Sequence, residues 1–228
     1  MTDHLSAGPD DVEALVARIC DHRARAAGTV PGAIGRLIIG LAGPPGAGKS
    51  TVTGALTAAL ARAGLASVVV GMDGYHLAQA ELERLGRADR KGAPDTFDAD
   101  GYVALIRRIR VQRPDSPVVY APAFDRHLEE PVAGAVAVAA DVPVVLTEGN
   151  YLLLDREPWR RLGDLLDETW YLEVDETARR RRLVARHIAH GRSPEAAAEW
   201  EDRSDQANAE VVAASRHRAD VVVSWREG

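Results

Sequence analysis

The sequence predicts an α/β fold of three layers, with a mostly parallel central sheet between helices. Three observations carry that expectation. Short β-rich runs ("RLIIGLAG", "SVVVGMD", "SPVVYAP", "VPVVLTEGN", "TWYLEVD", "ADVVVSW") alternate with segments of helical spacing. Several of these runs are continuously apolar, as strands covered on both faces are. The 228 residues are 46% hydrophobic and 27% charged, which suits a single domain over 1–228 with a full core.

Each element follows in order. Asp10 and Asp11 precede Val12, Leu15, Val16 and Ile19, one face of a helix expected to end around Gly28 to Gly32. The run after Arg36 stops in glycine, and Lys49 to Arg62 then read as a helix with Gly64 as its stop. "SVVVGMD" is expected to be a buried strand, with Gly74 freeing the backbone after it. Asp98 is placed to cap a helix through "DADGYVALIRRIRVQ", which Pro114 and Pro117 break. "FDRHLEEPVAGAVAVAAD" predicts a hairpin-like excursion between two strand candidates. "ETARRRRLVARHIAHG" and "SPEAAAEWEDRSDQANAEVVAASRH" predict two long helical stretches, and a helical lid is expected over about 178–195.

A net charge of −6 and a pI near 5.7 argue against a surface that neutralises a nucleic-acid backbone. A small molecule is the expected partner, and a homodimer is compatible with the chain. Cys20, the single cysteine, excludes an internal disulfide, fits a reducing compartment, and is expected to be a small buried residue on the first helix. No basic flank leads into an apolar core at the N-terminus, and no apolar run approaches the ~18 to 20 residues that span a bilayer. A cytoplasmic protein without membrane contact is expected.

Of 28 basic residues only Lys49 and Lys91 are lysines, so a compact ammonium is wanted where they stand. Lys49 belongs to Gly43-Pro44-Pro45-Gly46-Ala47-Gly48-Lys49-Ser50-Thr51, which satisfies G-x-x-x-x-G-K-[ST] with a strand before it and a helix after it. The glycines let backbone N–H groups turn toward phosphates, and the helix N-terminus adds a positive field. Lys49 would reach the β- and γ-phosphates and Ser50 would hold Mg²⁺. The fold expected is therefore the P-loop NTPase fold.

Such a nucleotide is fuel, signal or reagent. A guanine-reading N-K-x-D segment is absent, because neither lysine follows Asn, and neither a strand ending in Asp-Glu nor a signature helix of a motor is found. A reagent requires a carboxylate that accepts a proton from a substrate hydroxyl. Asp73 ends a strand at the edge where parallel sheets bind ligands, and Tyr75 and His76 face the same cleft. Glu148 ends a second strand and is expected, with Ser50 and Asp73, on the Mg²⁺ side, with Asn150 and Tyr151 following it into the cleft. In the arginine-rich lid, Arg182 and Arg186 share a helix face at i, i+4, and Arg192 follows. Arg179 to Arg181 read as bystanders.

These segments, together with "MDGYHL", "RKGAPDTFD", "YAPAFDRHLEEP", "TEGNYLLL" and "NAEVVAASRHRADVVV", resemble the P-loop small-molecule kinases that group uridine kinase, type I pantothenate kinase and phosphoribulokinase. The resemblance covers most of the chain from about Arg36 onward. It implies ATP and Mg²⁺ as cofactors and Asp73 as base, and it brings Lys91, Asp95, Arg126 and His127 to the acceptor. It also places Asn208, Arg216 and His217 against the adenine. "TEGNYLLL" and "FDRHLEEP" depart from both pantothenate and uridine kinases, so the acceptor cannot be copied from either. A pocket of Tyr75, His76, Lys91, Tyr120, Phe124, Arg126, His127 and Asn150 suits a sugar, a polyol or an acid such as pantothenate. With two Phe in the chain, a nucleoside is the less favoured alternative, and an ATP-binding regulatory or hydrolysing protein is the alternative of another class.

Overall fold

A computed structural model describes residues 2–8, 12–27 and 35–225. Asp10, Asp11 and the expected helix stop from Gly28 to Gly32 lie outside the described residues.

Six strands, β1 (Asp3–Ala7), β2 (Leu37–Ala42), β3 (Ser67–Gly71), β6 (Val144–Gly149), β7 (Glu168–Glu173) and β8 (Val221–Trp225), form one sheet in the order β1-β8-β7-β2-β6-β3. All pairings in it are parallel. Two further strands, β4 (Val119–Asp125) and β5 (Glu130–Val138), make a separate antiparallel hairpin with a bulge between Ala121 and Ala123.

Strand β2 is buried throughout because both faces are covered. Ile38 and Ala42 join one core with Tyr102, Ile106 and Ile109 of α4 (Ala99–Arg110), Trp159 and the hairpin residues Val119 and Val138. Leu37, Ile39 and Leu41 join the other, with Val12, with Leu15 and Ile19 of α1 (Glu13–Ala27), and with Val52, Leu56 and Leu60 of α2 (Lys49–Arg62). The period-2 alternation of a strand thus feeds two helical layers. Between these layers Tyr102 Oη lies 2.5 Å from Thr147 Oγ1, which donates to the Val70 carbonyl at 2.7 Å.

Several expectations need correction. Strand β1 escapes sequence reading because "DHLSA" is short, polar and exposed on its edge of the sheet. "SPVVYAP" contributes to the hairpin and not to the parallel sheet. Strand β3 is only partly buried, since it occupies the opposite edge. Cys20 is exposed, because the buried stripe of α1 runs through Leu15 and Ile19 and the next residue turns about 100° away. The final helical stretch is α6 (Pro194–Trp200), one π turn (Glu201–Asp205) and α7 (Gln206–Ala214). Among the described residues no helix is long and apolar enough to cross a membrane.

Candidate active site

The glycine-rich loop leaves the carboxyl end of β2 at the centre of the sheet. Gly46 and Gly48 have φ of 76° and 88°, values that L side chains resist. A Cβ on Gly46 would also lie 2.7 Å from Leu183 Cγ of α5 (Glu176–Ala189). Gly48 is the N-cap of α2 and makes no side-chain cap hydrogen bond, and phosphate oxygens are favoured at such a helix N-terminus. Lys49 Nζ donates to the carbonyls of Gly43 and Pro44 at 2.9 and 3.2 Å and to Asn150 Oδ1 at 2.6 Å. Burial holds its pKa below the ordinary lysine value, against the opposing charges of Glu148 and Asp73.

Glu148 sits in β6 in register with Leu41 of β2 and Gly71 of β3. Its Oε1 accepts from Ser50 Oγ at 3.3 Å. Burial, and next the charge of Asp73, push this carboxyl above its ordinary range. Asp73 follows β3 in a 3₁₀ turn (Met72–Tyr75); its Oδ2 is 3.5 Å from Arg126 Nη2 and its carbonyl is 2.9 Å from His76 Nδ1. The His76 ring lies 4.1 Å from Phe97 and 5.0 Å from Phe124, centre to centre, and burial lowers its pKa. Asp73 does not cap a helix: α3 (Gln79–Arg84) starts later, and Glu130 Oε1 accepts from its Gln79 N–H at 2.9 Å.

The carboxylates of Glu148 and Asp73 and the Ser50 hydroxyl form an oxygen donor set that suits a hard cation. Among the described residues no group of three or more His, Cys, Asp or Glu could enclose a metal. A partial set is what Mg²⁺ uses, because it keeps waters and takes phosphate oxygens. Such a cation would offset the burial and the repulsion from Asp73 that raise Glu148.

Helix α5 closes the site from the other side. Arg182 Nη1 donates to the Gly46 carbonyl at 3.0 Å. Arg186 faces the same space, its pKa lowered by burial and next by Arg126. The resulting cavity, about 680 Å³, is lined by the glycine-rich loop, Asp73, Glu148, the β4–β5 hairpin, the 88–92 loop, α5 and the π turn.

A family model described as the phosphoribulokinase/uridine kinase family matches residues 38–226. The chain belongs to the phosphoribulokinase/uridine kinase family. It is a P-loop kinase of small-molecule type. It is 40% identical over 165 residues to the ATP-dependent kinase-like protein notR' of Aspergillus versicolor, covering 68% of this chain and 96% of that one. It is 36% identical to a candidate uridine kinase of Schizosaccharomyces pombe, covering 82% and 83%. The crystal structure of a candidate fructose transport system kinase from a Silicibacter species superposes with a TM-score of 0.78 at 38% identity, covering 91% of this chain and 98% of that one.

In this kinase the cavity gathers Pro45, Gly46, Gly48, Lys49, Ser50, Thr51, Asp73 and His76 with Lys91, Phe124, Arg126, Glu148, Asn150, Arg182, Arg186, Arg192 and Asn208. Other sequence-nominated residues lie outside it. The carbonyls of Gly43 and Pro44 accept from Lys49, and Ala47 is buried. Tyr75 packs edge-on against Tyr102 at 5.4 Å. Tyr120 is 59% exposed, since strand alternation turns it opposite to the buried Val119 and Ala121. Asp95 pairs with Arg90 and Arg87. His127 sits in the exposed hairpin turn, its N–H held by Asp125. Arg216 pairs with Glu173 at 2.8 Å, and His217 Nδ1 turns back to the Ala214 carbonyl at 2.9 Å.

Three roles read differently in the structure. Asn150 is turned to Lys49. Asn208 Nδ2 lies 3.7 Å from where a Cβ on Gly92, the neighbour of Lys91, would stand. Arg179 is no bystander: fully buried, it donates to the Pro45 carbonyl at 3.2 Å, to Glu176, to Gln206 at 2.5 Å and to Glu201 at 3.4 Å. Sequence reasoning also missed Gln79, Glu129, His187 and its partner Asp205 at 2.6 Å, His190 and Trp200, all lining the cavity. His190 was within reach, since it continues the Arg182 and Arg186 spacing by four.

Proposed function

We propose that this kinase transfers the γ-phosphoryl group of ATP to a hydroxyl of a small metabolite, a sugar, a polyol or an acid, in a Mg²⁺-dependent reaction. The observation that carries this reading is the convergence of Asp73, Glu148 and Lys49 on one cavity at the carboxyl edge of β3, β6 and β2.

The β- and γ-phosphates would lie in the glycine-rich loop, where Lys49 exchanges its carbonyl partners for phosphate oxygens. Mg²⁺ held at Ser50 and Glu148, with Asp73 nearby, would supply charge neutralisation to the phosphates. Asp73 accepts the proton of the acceptor hydroxyl as its oxygen bonds to phosphorus and the bond to the ADP oxygen breaks. Lys49, Arg182 and Arg186 stabilise the charge on the transferred group. Segment 178–195 acts as the lid, excluding water and so favouring transfer over hydrolysis.

The test is ADP formation with and without a panel of hexoses, pentoses, polyols, hydroxy acids and nucleosides, with products identified by mass. Acceptor-dependent ADP release with a phosphorylated product supports transfer. Steady release without any acceptor indicates a hydrolysing protein, and ATP binding without release indicates a regulatory one.

A further inference from the structure

The acceptor end of the cavity carries charge that the phosphoryl end does not use. Lys91 Nζ makes a hydrogen bond to the Glu129 carbonyl at 3.0 Å, and among the described residues no carboxylate stands within ion-pair distance of it. Arg126 reaches Asp73 loosely, at 3.5 Å. Both cations lie within 6 Å of the Phe124 ring, at 5.6 and 5.7 Å from its centre. Lys49, Arg182 and Arg186 belong to the glycine-rich loop and lid, leaving these two at the acceptor end.

A second observation points to the same ligand. Asn208 is 7% exposed and lines the cavity, yet among the described residues its amide has no hydrogen-bond partner. A ligand in the cavity can supply hydrogen bonds to this amide. The π turn before α7 is where a helix widens by one residue per turn, a distortion frequent at functional sites. Asn208 follows it by three residues and stands next to the loop that carries Lys91.

Besides Asp73, Glu129 adds negative charge to this wall, 3.9 Å from His190 Nε2. Asp73 is engaged only loosely with Arg126, and Glu129 is shared with His190, which leaves Lys91 without a carboxylate partner among the described residues. A neutral sugar or nucleoside would leave Lys91 without an anion and Arg126 with only its 3.5 Å contact to Asp73, whereas a carboxylate or phosphate ester gives each a charge-assisted hydrogen bond.

We infer that the acceptor bears, besides the reacting hydroxyl, an anionic group held by Lys91 and Arg126, with Asn208 bonding a neighbouring polar group. This rests on the phosphotransfer reading for the hydroxyl, but the anion is tested separately. The full chain, loaded with a non-hydrolysable ATP analogue and Mg²⁺, is titrated calorimetrically with matched sets: glycerol, glycerate and glycerol 3-phosphate; fructose, gluconate and fructose 6-phosphate; uridine and its monophosphate. At least one anionic member should bind roughly 10-fold or more tightly than its neutral counterpart, the carboxylate and phosphate arms showing which anion is meant. Lys91→Gln and Arg126→Gln should each bring that ratio close to one, and Asn208→Ala should weaken the anionic member further than the neutral one. Unfolding midpoints of the variants serve as the fold control. The inference is overturned if no anionic compound binds, if a neutral member binds as tightly as its anionic partners, or if the ratio survives both charge-removing variants. Anion-selective binding without transfer would sink the phosphotransfer reading alone, and transfer to neutral acceptors without anion preference would sink this inference alone.

Discussion

The ammonium of Lys49 is held by the side-chain carbonyl of Asn150 at 2.6 Å, across 101 positions of sequence. A charge-assisted hydrogen bond of this kind contributes about 1.5 to 3 kcal/mol. It aims Lys49 at the mouth of the glycine-rich loop without neutralising it. Asn150→Ala is expected to lower kcat about 10-fold while changing the KM for ATP less, because orientation is lost and charge is kept. Asn150→Asp should instead weaken ATP binding, as a carboxylate would compete with the phosphates for Lys49. Steady-state kinetics of both variants check this.

The Glu148 carboxyl, raised by burial and by Asp73, binds its proton more tightly in the folded apoprotein than in the unfolded chain. Its contribution to stability is therefore fully present below the unfolded value near 4.5 and is lost as pH rises through the raised folded value. At neutral pH, Glu148→Gln should raise the melting temperature of the apoprotein and abolish stabilisation by Mg²⁺. In the wild type, stabilisation by Mg²⁺ should shrink on acidification, since protons and metal compete for one carboxylate. Melting curves with and without Mg²⁺ across pH decide it.

Arg179 binds the Pro45 carbonyl of the glycine-rich loop to Glu176, Glu201 and Gln206. Its replacement by Met leaves the buried Glu201 with the partly exposed Arg180 as partner, at 2.9 Å. A loss of about 1 to 3 kcal/mol in unfolding free energy is expected from the acceptors left unpaired, read from urea denaturation, together with a weaker response of the melting temperature to nucleotide.

Much of this was legible in the sequence, for a physical reason. The glycine-rich loop, Asp73 and Glu148 are set by local rules: β2 and β3 end just before the loop and Asp73, Glu148 is the penultimate residue of β6, and the loop's Gly46 and Gly48 take positive φ. What was not legible depends on contacts between distant segments. Asn208 reads as a tail residue until the π turn carries it to Gly92. Tyr120 reads as a pocket residue until the hairpin's alternation turns it outward. Arg179 differs from its arginine neighbours only by which helical face meets the P-loop.

Gly74 gives a sharper case of the same limit. Its torsions require no glycine, but a Cβ there would lie 2.4 Å from the Pro122 carbonyl of β4, so the residue exists to let the hairpin approach Asp73. Gly74→Ala should push the hairpin away at a cost of about 1 to 3 kcal/mol. The KM for the acceptor should rise with little change in the KM for ATP, since Phe124 and Arg126 ride on the displaced strand and turn.

The most direct measurement is the rate of phosphoryl transfer by Asp73→Asn to the acceptor that the panel identifies, at saturating ATP and Mg²⁺. With Asp73 as the base, transfer should fall by about 10² to 10⁴-fold while affinity for the ATP analogue stays near that of the wild type. Wild-type turnover by Asp73→Asn would contradict a catalytic carboxylate at this strand end.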